Sequence, residues 1–364
     1  MSATLVSSLL ILVGLIGLVV GGELLVRGAA ALAGAARISP LVIGLTVVAF
    51  GTSAPELAVT IQAAWAGAPE IAVGNVVGSN IANVLLILGL SALVAPLVVQ
   101  SRVVRIDVPL MIACSVGLWL LVLDGAVSRL DGLLLFATLI GYVIWSVIQG
   151  RREGVEIQDE FAAALPHDGS TAPYILRQTG LVVGGLVLLV IAARLLVSGG
   201  SDIARQLGVS ELVIGLTIVA VGTSLPELVT SVVASLRGQR DIAVGNVVGS
   251  NLFNILAVLG LGALVAPGGI PVADQVLRLD LPIMIATAAA CLPVFFTGGR
   301  INRPEGALFF FYYVAYTTYV VMGATGAAHM RSFELGMLGF VIPLTVMAIA
   351  VSVYQHVSIQ RRQP

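Results

Sequence analysis

Residues 71–80 read IAVGNVVGSN, and residues 242–251 read IAVGNVVGSN again. Working outward from this pair, residues 41–96 align without a gap to residues 212–267 at a constant offset of 171, with 36 of 56 positions identical. The surrounding chain is 58% apolar and 10% charged over 364 residues, whereas a soluble domain carries about a quarter charged residues. Runs of 18 or more uncharged residues recur along it, each long enough to span the roughly 30 Å hydrocarbon layer. The sequence is that of an all-α polytopic membrane protein. A soluble enzyme, a nucleic-acid binder and a secreted disulfide scaffold are excluded together, and the formal charge of −1 offers no basic field for nucleic acid.

Hydropathy and helix breakers predict eleven spans, near residues 5–36, 40–66, 71–94, 106–123, 132–149, 174–207, 211–237, 242–265, 277–297, 306–323 and 334–357. The first, second, sixth and seventh are long or rich in Gly and Pro and are expected to be tilted or broken. Equivalent points of the two copies are five spans apart. Five is odd, so the copies enter the membrane in opposite directions, giving two inverted-topology repeats of five transmembrane helices and an eleventh C-terminal helix. The expected division is a first repeat at 1–149, a polar cytoplasmic linker at 150–173, a second repeat at 174–323, and an extra helix and tail at 324–364. All eighteen basic residues are arginine. An outside N-terminus places twelve of them in inner loops and the tail and four in outer loops, so the positive-inside rule predicts a cell-membrane protein with a cytoplasmic C-terminus.

The second span contains GLTVVAFGTSAPELAVT and the seventh GLTIVAVGTSLPELVTS. Each carries one glutamate, Glu56 or Glu227, deep in apolar sequence. A carboxylate there costs about 2.5 kcal/mol or more on insertion scales and marks an ion or substrate pathway. Each follows a proline, Pro55 or Pro226, which interrupts the helix and frees a carbonyl. Thr52 and Thr223 lie four residues before the glutamates, on the same face if the helix were regular. Ser79 and Asn83 are four apart, as are Ser250 and Asn254. Gly74, Gly78, Gly245 and Gly249 have the small-xxx-small spacing that admits a neighbouring helix. Carboxylates, hydroxyls, carboxamides and carbonyls make an all-oxygen set suited to hard cations such as Ca²⁺ or Na⁺ and unsuited to zinc or copper.

The paired GTS-x-PE and GN-x-x-GSN segments resemble the two alpha repeats of the sodium/calcium exchangers, within the cation/calcium antiporter superfamily. The resemblance covers the ten repeat-related spans. It implies a secondary antiporter that exchanges Na⁺ for Ca²⁺, with those ions as transported ligands, the lipid bilayer as its medium, no cofactor and no enzymatic activity. It further implies that Glu56 and Glu227 coordinate both ions. Thr52, Thr223, Ser53, Ser224, Ser79, Ser250 and the carbonyls of Ala49 and Ala220 complete overlapping sites, and Asn83 and Asn254 close the central cluster. Some relatives carry aspartate at the position of Asn254; here both copies have asparagine. Proton/calcium exchangers place an acid in a GN-x-x-E pattern where this chain has Gly78 and Gly249, so proton coupling is the less favoured alternative.

Other polar residues have plainer readings. Asn75, Asn80, Asn246 and Asn251 are expected to be structural, and Glu23 with Arg27 to form a local ion pair. Asp107–Pro109 and Asp280–Pro282 mark helix starts. Cys114 and Cys291 lie in apolar runs as small core residues. The three histidines, His167, His329 and His356, form no metal-binding cluster.

Overall fold

The computed structural model describes residues 3–36, 38–161 and 172–360. Among the described residues nine helices are long and apolar enough to cross a bilayer, and two bent helix pairs bring the number to eleven. In chain order they are α1 (Thr4–Ala36), α2 (Pro40–Thr52 then Ala54–Trp65), α3 (Ile71–Val94), α4 (Val103–Asp124), α5 (Arg129–Arg151), α6 (Ala172–Gln206), α7 (Thr217–Thr223 then Leu225–Leu236), α8 (Arg240–Val265), α9 (Val276–Phe296), α10 (Arg303–Thr325) and α11 (Met330–Ser352). Of the spans expected to be tilted or broken, α2 and α7 bend, by 43° and 59°, while α1 and α6 run unbroken. At 1.5 Å per residue these two helices are about 50 Å long, more than a bilayer's thickness.

Contacts between distant loops settle whether the bent pairs cross the membrane. Two short antiparallel ribbons join the repeats: β1 (Leu97–Val98) pairs with β4 (Arg300–Ile301), and β2 (Ala126–Val127) with β3 (Ile270–Pro271). Paired strands lie on one side of a membrane. The chain between β1 and β4 holds α4 to α9, and the chain between β2 and β3 holds α5 to α8. Both counts are even only if α7 crosses. Likewise Thr4 Oγ1 donates to Gln206 Oε1 at 2.9 Å, which joins the start of α1 to the end of α6 and requires α2 to cross. With both bent pairs crossing, the copies are inverted.

Helices α3 and α8, which carry the verbatim decapeptides, form the buried centre. Their windows are 83% and 89% enclosed, against none of α11. The remaining helices wrap them, and α1 packs along α6. At Gly185 a side chain would come 2.7 Å from the Leu25 nitrogen, so this approach of backbones needs glycine. The repeats also cap one another: Arg129 Nε donates to the Ala266 carbonyl and Arg303 Nε to the Leu93 carbonyl, each at 3.2 Å, at the ends of α8 and α3.

Helix occupies the first half of the stretch expected to be a linker. The helix begun at Arg129 runs to Phe161, and the next begins at Ala172. Glu, Arg and Gln favour helix and the first proline after Arg151 is Pro166, so nothing breaks the helix earlier. Residues 162–171, with His167, lie outside the described residues. Asp107 and Asp280, expected to mark helix starts, lie instead about one turn inside α4 and α9, where a wider helical turn precedes Pro109 and Pro282. Their carboxylates accept from Tyr142 Oη at 3.1 Å and Tyr316 Oη at 3.4 Å. Both cysteines are free thiols.

Candidate functional site

The helix breaks fall at Ser53 and Ser224, whose ψ angles of 5° and 7° leave the helical well. Helix resumes at Ala54 and Leu225 with proline in its first turn. This revises the expected mid-helix prolines: Pro55 and Pro226 start helices, where a missing N–H costs nothing. Glu56 and Glu227 then sit in the first turn of the second half-helices, where the dipole's positive end favours a carboxylate. The C-terminal carbonyl end of each first half-helix, which favours a cation, points to the same place.

Both glutamates are buried, 0% and 1% exposed, and near enough for their charges to interact. Each is touched by hydroxyls of the opposite repeat. Ser53 Oγ donates to Glu227 Oε1 at 3.3 Å and Ser224 Oγ to Glu56 Oε1 at 3.4 Å. Thr52 likewise stands against Glu227 and Thr223 against Glu56. The shared face expected of each threonine and its own glutamate required a regular helix, and the breaks at Ser53 and Ser224 remove that regularity. Thr52 Oγ1 also lies 3.4 Å from Ser250 Oγ, and Ser224 Oγ 3.4 Å from Ser79 Oγ. The Ala49 carbonyl accepts the Ser53 N–H at 3.0 Å and the Thr52 hydroxyl at 3.4 Å. In the second copy Ser224 N donates to Val221 O at 3.1 Å instead, so the Ala220 carbonyl accepts only the Thr223 hydroxyl, at 3.2 Å, among these groups.

Four asparagines complete the centre. Asn80 Nδ2 donates to the Asn251 carbonyl at 3.3 Å and reaches Met284 Sδ at 3.6 Å. Both partners can only accept, so Asn80 Oδ1 is left as acceptor for Asn254 Nδ2 at 3.0 Å. Asn251 repeats the pattern, with Nδ2 on Met111 Sδ at 3.3 Å and Oδ1 accepting from Asn83 Nδ2 at 3.3 Å. With their amide nitrogens so engaged, Asn83 and Asn254 keep Oδ1 free. Asn75 and Asn246 have the structural role expected of them. Asn75 Nδ2 donates to the Glu56 carbonyl at 3.0 Å and to Thr60 at 3.1 Å; Asn246 Nδ2 donates to the Glu227 carbonyl at 3.3 Å and to Ser231 at 2.9 Å.

The outcome is a set of buried oxygens that no donor among the described residues satisfies. Glu56 Oε2, Glu227 Oε2, Asn83 Oδ1 and Asn254 Oδ1 are all shielded and without a hydrogen-bond partner there. Orphaned acceptors of this kind each cost about 1–3 kcal/mol, more when charged, unless a cation takes the place of the missing donors. Among the described residues no three His, Cys, Asp or Glu side chains form a metal-binding group, so only neutral oxygens accompany the two carboxylates. The sequence reading missed the methionine sulfurs, whose apolar character hides their part in orienting Asn80 and Asn251. It also missed Arg237, whose Nε lies 2.8 Å from Glu23 Oε2 and enlarges the Glu23–Arg27 pair to a trio linking α1 to the end of α7.

The family model described as "Sodium/calcium exchanger protein" matches residues 6–148 and 177–322. The chain is 40% identical over 317 residues to the putative antiporter CaxA of Alkalimonas amylolytica, covering 86% of this chain and 98% of that protein. It is 34% identical over 342 residues to the sodium/calcium exchanger MaX1 of Methanosarcina acetivorans, covering 85% and 97%. A solved structure of the sodium-calcium exchanger NCX_Mj, soaked with Na⁺ and Sr²⁺, superposes with a TM-score of 0.74 at 31% identity, covering 86% of this chain and 98% of that one. With its bent α2 and α7 and its two interlocked halves, the chain belongs to the sodium/calcium exchanger family.

Proposed function

We propose that this chain exchanges Na⁺ for Ca²⁺ across the membrane by alternating access, with its N-terminus outside and its C-terminus in the cytoplasm. Glu56 and Glu227 supply the charge that binds either ion. Asn83 and Asn254 contribute Oδ1, while Thr52, Thr223, Ser53, Ser224, Ser79, Ser250 and the carbonyls of Ala49 and Ala220 make up the remaining oxygens of overlapping positions. The single observation that carries this reading is the set of four buried, unsatisfied oxygens contributed symmetrically by both repeats. Two carboxylates match the charge of one Ca²⁺, and neutral oxygens fill the six to eight positions it takes. Because both ions use the same carboxylates, each excludes the other. Without a cation the site holds two buried charges without a counter-ion, which opposes the change of access and ties movement to exchange.

The test is Ca²⁺ uptake into proteoliposomes driven by an outward Na⁺ gradient, run beside a pH gradient without Na⁺ and beside no gradient. Uptake is expected with Na⁺ alone. Glu56→Gln and Glu227→Gln should each reduce it at least a hundredfold while the purified protein remains monodisperse. Uptake retained in both variants removes the glutamates from the mechanism, and uptake driven by the pH gradient alone replaces Na⁺ by H⁺ as the coupling ion.

A further inference from the structure

Beside its last helix the bundle is not closed. Tyr312 Oη of α10 donates to Thr345 Oγ1 of α11 at 2.7 Å. Between that contact and the membrane surface where α10 begins, the two helices leave a cavity of about 190 Å³. Val294 of α9, itself buried, lies behind it, and Leu308 of α10 and Ile349 of α11 line its sides. Glu305 and Ser352 line it one turn nearer the membrane surface. Two helical turns separate Tyr312 from Glu305, so the cavity is about 10 Å deep. Its deeper lining is apolar and open to the outside of the bundle at hydrocarbon depth, where acyl chains are the solvent. None of the apolar stretch of α11 is buried against protein.

The rim is charged. Among the described residues that line the cavity, Glu305 carries the only charge. Its Oε2 accepts the Asn302 N–H at 2.9 Å in the capping box that starts α10, which holds the carboxylate at the rim. Helix α9 ends at the same rim, at Phe296, and the negative end of its dipole favours a cation there; the positive end of α10 beside it suits a phosphate. An apolar slot with a carboxylate at its mouth fits a molecule with hydrocarbon tails and a head that carries both charges.

We propose that the cavity between α9, α10 and α11 is a phospholipid site, in which an acyl chain fills the slot and a primary ammonium head, as in phosphatidylethanolamine, binds Glu305. A primary ammonium brings three N–H donors to the carboxylate in charge-assisted hydrogen bonds. A choline head has no N–H to donate, and a phosphatidylglycerol head brings only negative charge. None of the lining residues belongs to the proposed ion site, so the lipid site stands whichever ions are exchanged. It gives the eleventh helix a role that the ten repeat-related spans do not supply, as one wall of a lipid-binding slot.

The test is native mass spectrometry of the full chain, purified and titrated with phosphatidylethanolamine, phosphatidylcholine and phosphatidylglycerol of one chain length. Phosphatidylethanolamine should bind at least fivefold more tightly than either of the others. Glu305→Gln keeps the capping box, which accepts glutamine as well as glutamate, and should bring phosphatidylethanolamine down to the level of phosphatidylcholine. Ala348→Trp sets an indole into the cavity from an exposed position on α11 and should remove the tightly held lipid whatever its head. Equal phosphatidylethanolamine affinity in wild type and Glu305→Gln overturns the proposal. So does tighter binding of phosphatidylglycerol, a wild-type chain that holds no lipid tightly, or full retention of lipid by Ala348→Trp. If the tryptophan variant does not fold, the Glu305→Gln comparison decides alone.

Discussion

At the scale of single residues, the neutral half of the site is set by groups that do not belong to it. Asn80 turns its amide nitrogen to the Asn251 carbonyl, and its oxygen then compels Asn254 to present nitrogen to it and oxygen to the centre. Asn254→Asp sets two acceptors face to face at that 3.0 Å contact. The variant should lose about 1–3 kcal/mol of stability and shift its Ca²⁺ affinity at least threefold, read by thermal unfolding and by ion titration of the purified protein. An unchanged ion profile would make Asn254 a purely structural residue. The carboxylates were legible in the sequence because a charge inside an apolar span is costly and persists where an ion or substrate needs it. The Asn80–Asn254 and Asn83–Asn251 pairs were not legible, because they join positions 174 and 168 residues apart and depend on how the halves interlock.

Among the helices, the breaks in α2 and α7 were legible as GTS-x-PE, although the proline starts the second half-helix, where it is tolerated, and the break itself falls at the serine. Which repeat each hydroxyl faces was not legible, because spacing rules hold only along an unbent helix. Only the first repeat adds the Thr52 hydroxyl to the asparagine that pins the opposite glutamate's helix. Asn246 donates to Glu227 and Ser231 and accepts from Thr52, whereas among the described residues Asn75 makes the two donor bonds alone. Asn246→Ala should therefore destabilise this state by about 1 kcal/mol more than Asn75→Ala, a difference measurable as separate midpoints of thermal unfolding. The reverse order would contradict the one-sided contact. The small-xxx-small spacing predicts packed glycines in both copies. Gly245 and Gly249 are packed; Gly74 and Gly78 are not in this state, and a sequence cannot state which of two equivalent contacts is closed.

For the whole molecule, the inversion was legible by counting spans, and the even crossings between paired strands agree with it. The eleventh helix lies on the outside of the bundle with none of its apolar stretch buried, held to α10 by Tyr312 Oη donating to Thr345 Oγ1 at 2.7 Å, and it lies beyond the residues matched by the family model. Removal of residues 327–364 should leave Na⁺-driven Ca²⁺ uptake within threefold of the full chain; its loss would give α11 a part in transport. Protons and cations compete for the same two carboxylates, so acidification should raise the Ca²⁺ concentration needed for half-maximal uptake, and a rate that climbs steadily into acid would contradict that competition. The two ribbons carry one more consequence. Each half of the chain holds two strand edges and two asparagine amides whose mates are in the other half, so neither half is a self-sufficient folding unit, although each has a full set of five crossings. Synthesised as separate pieces, the halves should be rescued from degradation only by one another, like the two sides of a clasp that shuts at both ends.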